Sequence, residues 1–165
     1  MGSKTPVVRQ VSWLMLIPQL LVMAALIVLI ALLFPPKPLM MSVAYGSFLY
    51  LLYSYGSRWL LLKSHRQGMA LTQANDYRGA IEKYNESYHF FSDHPWIDRY
   101  RYFTLMSPSL ISFREMALIN IAFCYSQIGD GANTRLYYQK ALAEFPDSEM
   151  AKMALKLIAS IETKG

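Results

Sequence analysis

The chain has 165 residues, of which 54% are hydrophobic and 16% are charged, and its formal net charge is +5. Five of the sixteen basic residues and none of the acidic ones lie in residues 1–63, whereas residues 64–165 hold eleven of each sign. The positive charge therefore belongs to the apolar N-terminal part, and we expect no nucleic-acid partner for the C-terminal part.

Two long apolar runs follow one another at 11–34 and 39–57, separated by a short turn rich in proline. As helices of 24 and 19 residues they would measure about 36 and 28 Å, close to the ~30 Å thickness of a hydrocarbon core. The first run is much longer than the roughly 7–15 apolar residues of a cleaved signal peptide. The sequence therefore predicts a two-helix transmembrane hairpin within residues 1–63.

The charges beside the two runs predict their orientation. Five basic residues flank the outer ends of the hairpin and one lies in the turn: Lys4, Arg9, Arg58, Lys63 and Arg66 against Lys37. By the positive-inside rule, this places both termini in the cytoplasm. We expect an integral protein of a bacterial inner membrane, and the single cysteine excludes an internal disulfide.

Small and polar residues interrupt both apolar runs. Gln19 lies in the first run, and Gly46, Tyr50 and Tyr53 recur at helical spacing in the second. Such residues let membrane helices approach closely and form hydrogen bonds between them. We expect this face to pack inside the hairpin, with Gln19 and Tyr50 at similar depth; the alternative is that it docks a second membrane subunit.

Beyond residue 63 the pattern is that of amphipathic helices separated by turns and caps. Helices are predicted at 61–74, 76–91, 95–106, 108–128, 131–145 and 147–162, with Ser107 capping the fourth. No strand pattern competes with them. The predicted fold is therefore all-α, with the hairpin followed by a small helical domain over residues 64–165.

Two stretches of this domain share one arrangement of small and large residues. The first holds Gly68, Leu71, Asp76, Tyr77, Ala80, Ile81 and Tyr84, and the second holds Ala122, Tyr125, Gly129, Asp130, Tyr138, Ala141, Leu142 and Pro146. The arrangement resembles the tetratricopeptide repeat (TPR) family, whose 34-residue units are helix–turn–helix pairs. The resemblance covers residues 61–163 and implies stacked helix pairs closed by a capping helix near 147–162.

An insertion separates the two stretches. Their equivalent residues Tyr84 and Tyr138 are 54 positions apart, about 20 more than one repeat length, and this leaves direct stacking of the pairs open. We expect the aromatic residues of the inserted helix near 95–106 to bridge the repeats as a shared core. The alternative is that Trp96, Arg99 and Arg101 contact a partner or lipid headgroups.

The resemblance also implies a groove, lined by the first helix of each unit, that binds a peptide or a helix of another protein. Carried over position by position, the groove residues are His65, Met69, Thr72, Gln73, Met116, Ile119, Asn120, Phe123 and Gln127. Met69, Met116 and Phe123 would equally suit the core of so short an array.

The sequence offers no catalytic apparatus. His89, Asp93 and His94 are close together, but their position at a helix end before Pro95 indicates a turn and no metal site. Cys124 has no base at a motif spacing and is expected to be buried and inert. Because the chain has neither a glycine-rich phosphate loop nor a nucleophile elbow, we predict no enzyme activity and no cofactor.

These observations together predict a membrane-anchored module for protein–protein interaction, acting as a scaffold or assembly factor for a membrane complex. Its partners would be another protein and the lipid bilayer, with homo-oligomers as a further option. A first alternative is an accessory subunit of a transporter, respiratory or secretory complex that contacts the complex through the hairpin. A second is an extracytoplasmic repeat domain in envelope or cytochrome maturation.

Overall fold

The computed structural model of the protein describes residues 16–34 and 38–162. Every element of these residues is an α-helix, which confirms the predicted all-α class. In chain order the helices are α1 Ile17–Leu33, α2 Leu39–Leu61, α3 Lys63–Gln73, α4 Tyr77–Asp93, α5 Pro95–Arg99, α6 Arg101–Thr104, α7 Phe113–Gln127, α8 Gly131–Glu144 and α9 Glu149–Glu162. The predicted inserted helix is therefore two short helices with Tyr100 between them.

The described residues form two compact units. The hairpin unit comprises residues 16–34, 38–63 and 99–110, and the repeat unit comprises residues 64–98 and 111–162. Residue 63 is the last residue of the hairpin unit before the repeat unit begins. The second half of the insertion, however, belongs to the hairpin unit, although the sequence places it within the helical domain.

In the hairpin unit, α1 and α2 pack against each other as an antiparallel pair. Gly46 marks a close approach of the two helices, because a Cβ atom placed on it would lie 2.7 Å from Cα and Cγ1 of Ile27. The buried residues of the two helices are small or polar: Gln19, Ser42, Gly46 and Ser54. With Gly46 facing Ile27, the antiparallel register places Gln19 at the level of Ser54. The sequence prediction placed Gln19 at the level of Tyr50, which lies one helical turn away from Ser54.

Among the described residues, no helix combines the length and the apolar character that crossing a membrane requires. The predicted spans 11–34 and 39–57 differ from the observed helices in two ways. Helix α1 has only 17 residues, and α2 has 23 but includes many serine, glycine and tyrosine residues. Residues 11–15 of the first predicted span, and the charges Lys4, Arg9 and Lys37 used for its orientation, lie outside the described residues.

In the repeat unit, the two predicted helix pairs stack directly. Helix α4 packs against α7, α7 against α8, and α8 against α9. One core cluster joins α4 to α7 through Ala80, Ile81, Tyr84, Ile121 and Cys124. A second cluster joins α7, α8 and α9 through Leu118, Ile119, Ala141 and Ala151.

The expectation that aromatic residues of the insertion supply this shared core is wrong. Trp96, Tyr100 and Phe103 are 57, 53 and 48% exposed, respectively. Residues of α4 and α7 already meet without them, since Ala80 is completely buried and Tyr84 is 2% exposed. The chain between α5 and α7 therefore does not separate the two helix pairs.

Helix α7 begins five residues later than predicted. Its cap is Ser112, whose hydroxyl oxygen accepts a hydrogen bond from the backbone N–H of Glu115 at 3.0 Å. The Asp98 carboxylate accepts hydrogen bonds from the two preceding backbone N–H groups, that of Phe113 at 2.9 Å and that of Arg114 at 3.1 Å. All three donors of the first turn therefore have acceptors, and one acceptor residue comes from α5.

We expect Gly68→Ala to lower the free energy of unfolding of the chain by about 1–2 kcal/mol, because overpacking a dense core forces side chains to move. A Cβ atom on Gly68 would lie 2.8 Å from two ring carbons of the buried Tyr84. The matched control is Gly131→Ala, whose Cβ would have no neighbour within 4 Å. Urea unfolding followed by circular dichroism measures both variants, and equal stability of the two would contradict the prediction.

Candidate functional site

The first helices of the two pairs, α3 and α7, contact each other through side chains at two places. The rings of His65 and Phe113 have centroids 5.5 Å apart. Further along, the Thr72 hydroxyl oxygen lies 3.7 Å from the sulfur of Cys124. Two predicted groove residues of α3, His65 and Thr72, thus contact α7.

The predicted groove residues differ in their accessibility. Gln73 and Gln127 are exposed, and a middle group is partly exposed: Met69, Thr72, Met116, Asn120 and Phe123. We define these seven residues as the α3–α7 face. His65 and Ile119 are 4 and 8% exposed, so the two belong to the core and not to a groove surface.

Polar side chains join α3 to its neighbours at and beneath this face. Nδ1 of His65 lies 3.2 Å from the hydroxyl of Ser87 on α4. Thr72 donates to the carbonyl of Gly68 at 2.9 Å, and its oxygen lies 3.3 Å from the Tyr84 hydroxyl. Each of these groups has a partner inside the core, so the network stabilises the packing of α3 and offers no open site.

The electrostatics of this network do not favour nucleophilic chemistry. Burial raises the pKa of the Cys124 thiol, and burial likewise raises the pKa of Tyr84 to about 12. Burial also lowers the pKa of His65 to about 4, so this imidazole is neutral at pH 7. A neutral imidazole and an undissociated thiol, both away from solvent, are structural groups.

Stability is expected to fall as the pH is lowered, because His65 is protonated more easily in the unfolded chain. Its pKa rises from about 4 to the usual 6.5 on unfolding, so the contribution is complete above about pH 7 and decreases below it. Between pH 7.5 and 5 the loss is about 2 kcal/mol.

Urea unfolding at these two pH values measures this loss. His65→Leu should remove most of the pH dependence, whereas His89→Gln, a change at an exposed histidine, should keep it. An unchanged pH dependence in His65→Leu would show that other groups cause it.

A second polar cluster, which the sequence did not indicate, links three helices of the repeat unit. Glu144 of α8 accepts hydrogen bonds from Arg114 of α7 and from the Tyr88 hydroxyl of α4, each at 2.5 Å. The Nζ atom of Lys140 lies 4.2 Å from the centre of the Tyr88 ring. The cluster is partly exposed and holds α4, α7 and α8 together. It lacks a sequence signal because its members come from three helices.

The predicted partner or lipid contacts of the insertion separate into two kinds. Trp96 and Arg99 are exposed. Arg101 is only 9% exposed, and its guanidinium donates to the carbonyls of Ser109 at 2.9 Å and Leu110 at 2.8 Å. Arg101 therefore holds the chain path from 101 to 110 and does not present its charge to a partner.

The hairpin residues singled out in the sequence occupy different environments. Gln19 and Gly46 are buried and Tyr50 is partly buried, and Gly46 faces Ile27 of α1. Tyr53 is 46% exposed, and its hydroxyl donates to the carbonyl of Phe103 at 3.0 Å. Gly46 is therefore used in packing α1 against α2, while Tyr53 contacts the insertion.

The described residues contain no group of three or more histidine, cysteine, aspartate or glutamate side chains placed to hold a metal ion. His94, which the sequence assigns to a turn, lies with Nδ1 3.0 Å from the carbonyl of Phe90. The chain matches no protein-family model, no curated protein and no solved structure.

Proposed function

We propose that this chain is a membrane-anchored, TPR-like module for protein–protein interaction, which serves as a scaffold or assembly factor for a membrane complex. The observation that supports membrane anchoring is the burial pattern of the hairpin, which is the inverse of that of a water-soluble protein: small and polar residues are buried, and large hydrophobic residues are exposed. The buried residues of the hairpin are Gln19, Ser42, Gly46 and Ser54, while twenty-one large hydrophobic residues of the hairpin helices and their ends are exposed.

This inversion is unfavourable in water and favourable in lipid. In water, contiguous apolar surface of more than a few hundred Å² is rare on a monomer and marks an interaction site. In lipid, large apolar side chains face the acyl chains, and small or polar residues lie between the helices. Helix α1 carries no charged residue, and the only one in α2 is Arg58, near its C-terminal end.

The interaction role rests on the α3–α7 face. It presents the apolar side chains of Met116 and Phe123 beside the amides of Asn120 and Gln127, which is a composition suited to a peptide or helix and not to an anion. The direct stacking of α3–α4 on α7–α8, followed by α9, agrees with the arrangement that the TPR resemblance implies. Methionine adapts its shape to different partners, which suits such a surface.

Membrane insertion and orientation are tested together. We expect the full chain to stay in the membrane pellet after alkaline extraction. Reporter fusions after Gly165 and at position 37, between α1 and α2, should report a cytoplasmic C-terminus and an extracytoplasmic position 37. Release by alkali would contradict the anchor, and an extracytoplasmic C-terminus would favour the maturation-factor alternative.

The interaction face is tested by photo-crosslinking in native membranes. A photoreactive phenylalanine analogue replaces Met116 or Phe123 on the α3–α7 face, and Gln139, exposed on α8, serves as the matched control. We expect one discrete protein adduct from the two face positions and none from the control.

A further position, Leu49 on the exposed surface of the hairpin, distinguishes the alternatives. An adduct from Leu49 alone would contradict the proposed face and support an accessory subunit that contacts its complex through the hairpin. Gly46 weakens that alternative, because it is already used in packing α1 against α2.

A further inference from the structure

Residues 99–110, which we call the insertion segment, are fixed to the hairpin by side chains of α2. The Arg58 guanidinium donates through Nε to the carbonyl of Leu105 at 2.8 Å, and it also donates to the carbonyl of Met106. The Tyr53 hydroxyl donates to the carbonyl of Phe103, and α6 packs against α1. The segment therefore lies on the end of the hairpin where α1 begins and α2 ends.

The insertion segment has an inner and an outer side. Leu105 and Met106 are 0 and 2% exposed, so the residues held by Arg58 point inward. Tyr100, Phe103 and Leu110 are about half exposed, and Arg99 is exposed beside them. The outer side is thus aromatic and apolar with one accessible positive charge.

The same end of α2 carries exposed aromatic residues of its own. Tyr53, Tyr55 and Trp59 are 46, 72 and 64% exposed. Together with Tyr100 and Phe103 they form what we call the aromatic end of the hairpin unit. Tyrosine and tryptophan are enriched where a membrane meets water, because their rings are apolar and their polar groups reach the headgroups.

The depth of this end follows from the helix rise. Tyr53 comes fourteen residues after Leu39, the first residue of α2, and Arg58 comes nineteen after it. At about 1.5 Å per residue these positions lie roughly 21 and 28 Å along the helix, against a hydrocarbon core ~30 Å thick. The insertion segment would then lie at the far boundary of the core, where the polar groups of Arg58 and Tyr53 are satisfied by its carbonyls.

We infer that the insertion segment is an interfacial membrane-binding element, which places the rings of Tyr100 and Phe103 at the boundary between headgroups and acyl chains of a phospholipid bilayer. The segment contacts α1 and Tyr53 of α2, whose large apolar side chains are exposed, and this adjacency to the proposed anchor argues for lipid as the occupant. Arg58 is a positioning residue, since it acts through the carbonyls that it holds. The inference rests on the proposed membrane anchor.

Spin-label accessibility in phosphatidylcholine nanodiscs tests the inference with the full chain. In a Cys124→Ala background, single cysteines replace Phe103 in the segment, Leu49 in the hairpin or Glu82 on α4, and each carries a nitroxide. Collision with oxygen, which concentrates in lipid, is compared with collision with a water-soluble nickel complex. We expect a several-fold higher oxygen-to-nickel ratio at Phe103 than at Glu82, and the highest ratio at Leu49.

The outcomes separate the two proposals. Water-like values at Phe103 with lipid-like values at Leu49 would overturn the inference and leave the anchor intact. Water-like values at Leu49 would overturn the anchor itself. Low collision rates with both reagents at Phe103 would show that protein covers the segment, which also overturns the lipid contact.

Arg58→Gln tests the positioning role. The shorter neutral side chain loses the guanidinium donors to Leu105 and Met106, so the Phe103 label should shift toward water-like values while the Leu49 label does not change. Arg58→Lys, which keeps the charge but not the planar donors, should give an intermediate value. An unchanged Phe103 value in Arg58→Gln would overturn the role of Arg58.

Discussion

Replacing Asp98 with alanine is expected to lower the free energy of unfolding of the chain by about 4 kcal/mol, because two hydrogen bonds to a buried carboxylate are lost and the N–H of Phe113 stays buried without its acceptor. Asp98 is 4% exposed, and its two oxygens accept from the N–H groups of Phe113 and Arg114. The carboxylate also lies at the positive end of α7, where a negative charge is stabilising. We therefore expect the first turn of α7 to be the part of the helix that this variant destabilises most directly.

Two measurements identify this cause. Urea unfolding in mild detergent gives the loss of stability, and hydrogen exchange should show the amides of Phe113 and Arg114 exchanging faster in Asp98→Ala. Asp93→Ala, which removes an exposed carboxylate five residues earlier, is the control and should change stability by less than about 0.5 kcal/mol. Equal effects of the two variants would contradict the capping role of Asp98.

The start of α7 also shows which part of a helix boundary is predictable. Ser107 followed by Pro108 is a common start signal, yet the helix begins at Phe113. Ser112 followed three residues later by Glu115 is the alternative signal, and its cap hydrogen bond is present. The contribution of Asp98 had no comparable signal, because it comes from fourteen residues before Ser112 and depends on the path of the insertion.

The small residues within each helix pair were predictable, because they recur locally, whereas the direct stacking of the two pairs was left open by the insertion between them. Small residues at Gly68, Ala80 and Ala141 stand where helices approach closely, and the structure buries all three. The accessibility of the groove residues was less predictable. His65 and Ile119 were assigned by position alone, but Phe113 packs on His65, and Ile119 joins the cluster with Ala141 and Ala151.

The path of residues 99–110 could not be derived from the sequence. Its contacts with Arg58 and Tyr53 use backbone carbonyls, and every residue offers the same acceptor to a distant side chain. Arg58 therefore entered the prediction only as a charge that orients the hairpin. Leu105 and Met106 are buried, whereas Tyr100 and Phe103 are exposed. This difference between the two sides of the segment can be interpreted only once its path is known.

Gly46→Leu is expected to destabilise the hairpin by about 3 kcal/mol, because a side chain placed in a fully packed contact forces the helices apart. Already the first carbon of that side chain would lie 2.7 Å from Cα and Cγ1 of Ile27 and 3.0 Å from its backbone nitrogen. Gly56→Leu, on the same helix, is the matched control, since a Cβ there would have no neighbour within 4 Å. Unfolding by dodecyl sulfate in mixed micelles, followed by circular dichroism, compares the two.

A second substitution distinguishes a backbone contact from a side-chain clash. Ile27→Ala removes Cγ1 but leaves the Cα and nitrogen atoms that Gly46 approaches, so it should restore only part of the stability lost in Gly46→Leu. Full restoration would mean that the side chain of Ile27 alone requires glycine at position 46. Partial restoration, with Gly56→Leu unaffected, would establish that α1 and α2 are in backbone contact, and therefore that the small residues of α2 are used within the hairpin and not on its outer surface.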